Sequence, residues 1–289
     1  MKADVGIALR STVFPPNLIV PISAEIDASF SSVWFPAVSA HLDPLDLCAL
    51  SLGATKRLSA ATGVIRLPEH DLALLARRAD ALGETSGDRF ILGVGTGHLR
   101  GRTAVNQLVE LTKKLRASYQ RTPPVPVYFA ALGPRMVQAA FQNADGALLN
   151  FCSPRYASKV TSRHVSKKRD GFRVACYVKL FFSEDESEAR RMLVDEFIHY
   201  DSLPQYHKMF EAMGISKTLE AFRSTTEIAE GHITEEILEI SMDNPTQKEV
   251  LELLERFREA GVDTPVVYPY VAGSDDYKLQ LVKNLCSWL

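Results

Sequence analysis

The chain has 289 residues, with 33 Lys and Arg against 35 Asp and Glu for a formal charge of −2. That near balance excludes a continuous basic stripe for nucleic acid and a polybasic membrane patch, and leaves a small molecule as the expected partner. Cys48, Cys152, Cys176 and Cys286 are too scattered for a zinc site or a disulfide framework and fit a reducing cytosol.

Met1 to Arg10 lacks the basic and long apolar regions of a secretory leader, and no later apolar run is long enough to span a membrane, so a soluble cytoplasmic protein is expected. Eight strand-like runs follow one another, at Asp4–Leu9, Ser32–Phe35, Leu58–Val64, Phe90–Val94, Val125–Ala130, Gly146–Phe151, Phe172–Phe182 and Thr264–Tyr270. Helical patterns separate most of them. Asp43 and Pro44 read as N-cap and first residue of a helix to Ala54, and Glu69 to Leu82 carries one apolar stripe stopped by Gly83. Pro134–Asn143 and Gln247–Ala260 repeat the pattern. Regular strand–helix alternation over this length predicts a (β/α)8 TIM barrel, with side chains such as Val174, Cys176 and Val178 pointing inward from the seventh strand. Between the seventh and eighth strands, Ser183 to Asp263 shows helical pieces and no convincing strand. The chain therefore reads as a single domain over residues 1–289 with a helical insertion at about 183–263.

The most informative stretch is Phe90-Ile91-Leu92-Gly93-Val94-Gly95-Thr96-Gly97-His98, a buried strand running into a loop of alternating glycines. Bare backbone at the carboxyl end of a barrel strand lets N–H groups approach a ligand, although a tight barrel corner would ask for the same glycines. Thr96 is placed to hydrogen-bond a heteroaromatic group, and His98 either exchanges a proton there or is a bystander of the loop. At Leu132-Gly133-Pro134-Arg135 a second strand meets a helix whose N-terminus and arginine suit a phosphate or carboxylate. Asn150 follows the sixth strand on the same rim, and His41 and Asp43 follow the second. No Gly-x-Ser-x-Gly elbow or Walker loop occurs, which leaves hydrolase and nucleoside triphosphatase readings without support.

Three blocks in order carry a resemblance: Ala54-Thr55-Lys56-Arg57-Leu58 with Ala61-Thr62-Gly63-Val64; Glu84 to Gly97; and Pro126 to Met136 closing at Ala144-Asp145-Gly146. Together they resemble the luciferase-like flavin and deazaflavin oxidoreductases, most of all the coenzyme F420-dependent, methylenetetrahydromethanopterin reductase-like branch. The resemblance implies an F420-dependent hydride transfer with a small-molecule substrate, or alternatively an FMN-dependent monooxygenase. It implies cofactor contacts at Gly63, Val64, Gly95, Thr96, Gly97, Leu132, Gly133, Pro134, Arg135 and Asn150, catalytic His98 beside the ring, no metal, and a non-prolyl cis peptide at Gly63–Val64. It further implies a homodimer through the helices flanking the second and third strands, where Leu45–Leu52 and Leu72–Leu82 are apolar. Two departures stand out: Pro36-Ala37-Val38 replaces a polar pair usual in the family, and the segment between Gly97 and Pro126 is short. On those grounds a non-catalytic flavin-binding or interaction protein on the same barrel is the third reading.

Overall fold

The computed structural model describes residues 4–38, 42–99, 101–224 and 233–289. Ten strands are present among them: β1 (Gly6–Ala8), β2 (Ser32–Phe35), β3 (Ser59–Thr62), β4 (Ile65–Arg66), β5 (Phe90–Gly95), β6 (Val127–Ala130), β7 (Gly146–Asn150), β8 (Arg173–Phe182), β9 (Ser241–Asp243) and β10 (Thr264–Val271). All pairings are parallel, and the order β1–β2–β3–β5–β6–β7–β8–β10 closes back onto β1, a (β/α)8 barrel. The eight barrel strands fall within a few residues of the eight predicted runs.

Local sequence explains the helices between them. Asp43 caps the helix Pro44–Ala54 by accepting from the Leu45 N–H at 2.9 Å, and Asp71 caps Leu72–Ser86 through Leu74 at 2.8 Å. Thr246 and Glu249 form a reciprocal capping box on Gln247–Glu259. At the amino end of the barrel, Arg89 donates to the carbonyls of Leu52, Thr55 and Leu58. Asp27 accepts the backbone N–H groups of Lys56, Arg57 and Leu58. Two of the sequence blocks quoted above therefore meet on the face away from the cavity, where they serve stability rather than chemistry.

Several expectations are corrected. The third helix does not stop at Gly83; it runs to Ser86 and ends at Gly87, whose φ is 64°. Gly83 is instead a packing glycine, since a Cβ there would stand 3.0 Å from a Val125 methyl. A helix of 17 residues, Gly101–Ala117, fills the segment after the glycine loop. The insertion contains the helices Glu186–Asp201, Pro204–Met213, Ser216–Ser224 and Glu235–Leu238, but also β9, which pairs with the far half of β8 from Lys179↔Ser241 to Phe181↔Asp243. Three residues bearing one aspartate are too short a run to announce a strand; an already formed neighbour supplies the pairing.

On β8 the predicted inward set is reversed. Cys176 meets Cys152, at the foot of the helix Pro154–Thr161, with sulfurs 3.8 Å apart. Tyr177 and Lys179 point into the barrel, where Tyr177 reaches Gly63 across it. By alternation Val174 and Val178 share the helix side with Cys176. The strand is buried on both faces, so alternation of apolar residues could not tell one from the other.

Candidate active site

A cavity of about 400 Å3 opens at the carboxyl ends of the barrel strands. One side is bare backbone and aliphatic carbon. β3 ends at Thr62, the peptide Gly63–Val64 is cis as expected, and the chain resumes as β4 alongside β5. Gly63 can sit there only without a side chain, because a Cβ would overlap the Tyr177 hydroxyl, which donates to the Gly63 carbonyl at 3.0 Å. The alternate glycines of β5 divide their work. A Cβ on Gly93 would overlap the Thr62 carbonyl, and one on Gly95 would press on Val64 at 2.9 Å, so both are packing glycines. Gly97, at φ 58°, turns the chain so that Thr96, Gly97 and Leu99 line the cavity.

The other predicted residues divide in the same way. Gly63, Val64, Thr96, Gly97, Leu132, Gly133 and Asn150 all line the cavity, joined by Pro36, Ala37 and Val38 as an apolar wall. Gly95 lies behind Val64 rather than on the lining. Pro134 and Arg135 face an adjoining groove of about 710 Å3, which shares Leu132, Gly133 and Met136 with the cavity and also carries Lys159, Arg163 and Lys208. A Cβ at Gly133 would meet no atom within 4 Å, so the junction of cavity and groove is left open. Gly133 is also the N-cap of the helix Pro134–Asn143 and offers no side chain to its first N–H groups. His98 does not line the cavity. Its side chain is 71% exposed and turns outward to Glu69, with Nδ1 3.4 Å from Oε1. His41 lies outside the described residues.

The second side of the cavity was not foreseen from sequence. It is built from Asn150, Tyr177, Tyr268 and, out of the insertion, Tyr200, Gln205 and Tyr206. Asn150 donates to the Tyr206 hydroxyl at 2.7 Å. Tyr200 and Tyr206 pack edge to face with centroids 4.4 Å apart, and Tyr177 and Tyr268 pack at 5.0 Å. Burial, first of all, pushes the phenols of Tyr177, Tyr206 and Tyr268 well above their usual range, so they are neutral hydrogen-bonding groups.

Behind this wall Lys179, with no exposed surface, donates to Glu196 at 2.6 Å; the Tyr270 hydroxyl donates to the same carboxylate oxygen, and Arg10 stands 4.0 Å from it. The ammonium lies 3.6 Å over the Tyr200 ring and 4.2 Å over Phe151. Burial alone would raise the Glu196 pKa, but Lys179, the Tyr270 hydroxyl and Arg10 outweigh it and leave the carboxyl below its ordinary value. Lys179, the one charged residue inside the run Val174–Phe182, was the signal that could have revealed this network. The tyrosines of the insertion carried no comparable mark.

The geometry agrees with comparisons to known proteins. A family model described as luciferase-like monooxygenase matches residues 24–123 and 106–264. The chain is 24% identical over 304 residues to the 5,10-methylenetetrahydromethanopterin reductase of Archaeoglobus fulgidus, covering 89% of this chain and 90% of that protein. Among solved structures, an F420-dependent secondary alcohol dehydrogenase in complex with an F420–acetone adduct superposes with a TM-score of 0.73 at 16% identity, over 100% of this chain and 99% of the other. The oxygenating constituent of 3,6-diketocamphane monooxygenase from the CAM plasmid of Pseudomonas putida, in complex with FMN, gives 0.64 at 14% identity, over 99% and 97%. At such identities the structural likeness establishes the shared fold.

Proposed function

The chain belongs to the luciferase-like monooxygenase family, and from that premise we propose that it is an oxidoreductase using coenzyme F420 to exchange a hydride with a small-molecule substrate at the barrel mouth. The observation that carries this reading is the continuity of the cavity, one side bare, with a groove bearing Arg135, Lys159, Arg163 and Lys208. Such a pair of spaces suits a flat ring joined to an anionic arm. Among the bare lining positions, Gly133 fits the group by leaving open space where a side chain would stand. When bound, the deazaflavin supplies the two-electron chemistry at its ring.

The chain's own residues bind, orient and exclude water. Val64, Leu132 and the Pro36–Val38 wall present carbon to the ring, and Thr96 offers it a hydroxyl. Arg135 and the unpaired N–H groups of the helix Pro134–Asn143 hold the anionic arm. Tyr206 accepts from Asn150 and so keeps its own O–H for the substrate, as a donor that burial holds protonated.

Use of FMN is the second reading, favoured by the FMN complex among the structural relatives. Titrating the purified protein with F420 and with FMN, following quenching of their fluorescence, separates the two. Saturable binding of F420 in preference to FMN is expected, with affinity falling about tenfold or more in Arg135→Ala, the scale of a charge-assisted hydrogen bond. Preference for FMN would select the monooxygenase reading, and binding of neither would overturn both.

A further inference from the structure

We infer that the tyrosine side of the cavity is a substrate pocket selective for uncharged, planar molecules that donate N–H or O–H hydrogen bonds. The inference deepens the proposed function and rests on it, since it assigns the bare side to the cofactor and the other side to the substrate.

Three observations carry it. First, among the described residues no Asp, Glu, Lys, Arg or His side chain lines the cavity; its polar side chains are phenols, carboxamides and the Thr96 hydroxyl. An ion entering it would shed water without gaining a charged partner, which costs several kcal/mol or more by the usual scale of ion burial (about that order). Second, two acceptors are buried and unspent, beside the Tyr206 O–H that remains a donor. Asn150 Oδ1 and Gln205 Oε1 are buried without a hydrogen-bond partner among the described residues, while the Asn150 amide N–H is engaged by Tyr206. Two buried lone-pair atoms are satisfied only by a ligand that donates to them.

Third, the ammonium nearest the pocket disfavours a cation: Lys179 sits directly behind the Tyr200 ring. The negative face of that ring is therefore already occupied on the Lys179 side, and a second cation against it would meet a like charge. What remains is a neutral, flat donor packed among Tyr177, Tyr200, Tyr206 and Tyr268. Gln205 and both tyrosines of the insertion make the choice, so specificity is written in the insertion rather than in the barrel.

The test is calorimetric titration, with and without saturating cofactor, of four probes of similar size: para-hydroxybenzamide, the donor-free methyl benzoate, para-hydroxybenzenesulfonate and para-hydroxyphenyltrimethylammonium. The hydroxybenzamide is expected to bind several-fold to about tenfold more tightly than its donor-free counterpart, one hydrogen bond's worth, and both ions more weakly still. Gln205→Leu should erase most of that preference, and Gln205→Glu, which keeps an acceptor, should retain donor selectivity. Unaltered circular dichroism in Gln205→Leu, with the preference lost on the cofactor-free protein as well, locates the effect in the substrate pocket. Equal binding of the two neutral probes, tighter binding of either ion, or no probe binding at millimolar concentration would overturn the inference. Failure of both cofactors to bind would instead remove the proposed function, and probe selectivity on the cofactor-free protein would still decide the pocket's preference.

Discussion

An ammonium group with no exposed surface must find all its partners inside the protein, and Lys179 does so with one carboxylate and two aromatic faces. Removing the carboxylate leaves the charge stranded, so Glu196→Gln is expected to cost about 3–5 kcal/mol in denaturant unfolding at neutral pH. A double variant, Lys179→Met with Glu196→Gln, should recover part of it. The pH dependence follows from the depressed carboxyl. Between its folded value and the unfolded value of 4.5 the unfolded chain binds more protons than the folded one. The Glu196 contribution is therefore complete above the unfolded value and is lost as pH falls through the folded one. Stability of the wild type should drop across that acid window more steeply than that of Glu196→Gln. His98 is the opposite case, an exposed imidazole directed at Glu69 away from the cavity. His98→Ala is expected to leave turnover with the preferred cofactor nearly unchanged, whereas loss of a general acid or base would lower it about 10²–10⁴-fold. A steady-state assay of the variant distinguishes the two.

Strand β5 shows how one element serves two purposes. Thr62 Oγ1 donates to the Gly93 carbonyl at 2.8 Å and accepts from its N–H at 2.9 Å, stitching β3 to β5 just below the cavity. The bare Gly93 backbone makes that approach possible. Because the obstacle to a side chain there is a backbone carbonyl, which cannot rotate away, Gly93→Ala should destabilise by at least about 3 kcal/mol, the upper range of overpacking. Gly133→Ala, which meets open space, should unfold at nearly the wild-type denaturant concentration. The glycine pattern Gly93-x-Gly95-x-Gly97 thus marked the right strand. Its separation into packing and lining residues depended on what stood opposite each Cα, which a single strand's sequence does not contain.

At the scale of the whole molecule, Leu50 and Leu74 are 43% and 50% exposed on the helices Pro44–Ala54 and Leu72–Ser86, the two that the resemblance assigns to an interface. A homodimer is the proposal they support, and sedimentation at micromolar concentration should report two chains; a single chain throughout would overturn it. Among the described residues no helix is long and apolar enough to cross a membrane. The barrel itself was legible in the order of residues, because strand and helix periods, capping aspartates and stop glycines are local signals that repeat along the chain. Part of its bare wall was legible too, in Gly63, Gly97 and Gly133, although the same glycine signal also marked the packing positions Gly93 and Gly95. The tyrosine wall, the Lys179–Glu196 pair and the outward turn of His98 were decided only by tertiary structure. Tyr177, Tyr200, Tyr206 and Tyr268 come together because barrel closure and the insertion bring residues distant in sequence to one mouth. Only that closure determines which face of a doubly buried strand looks inward.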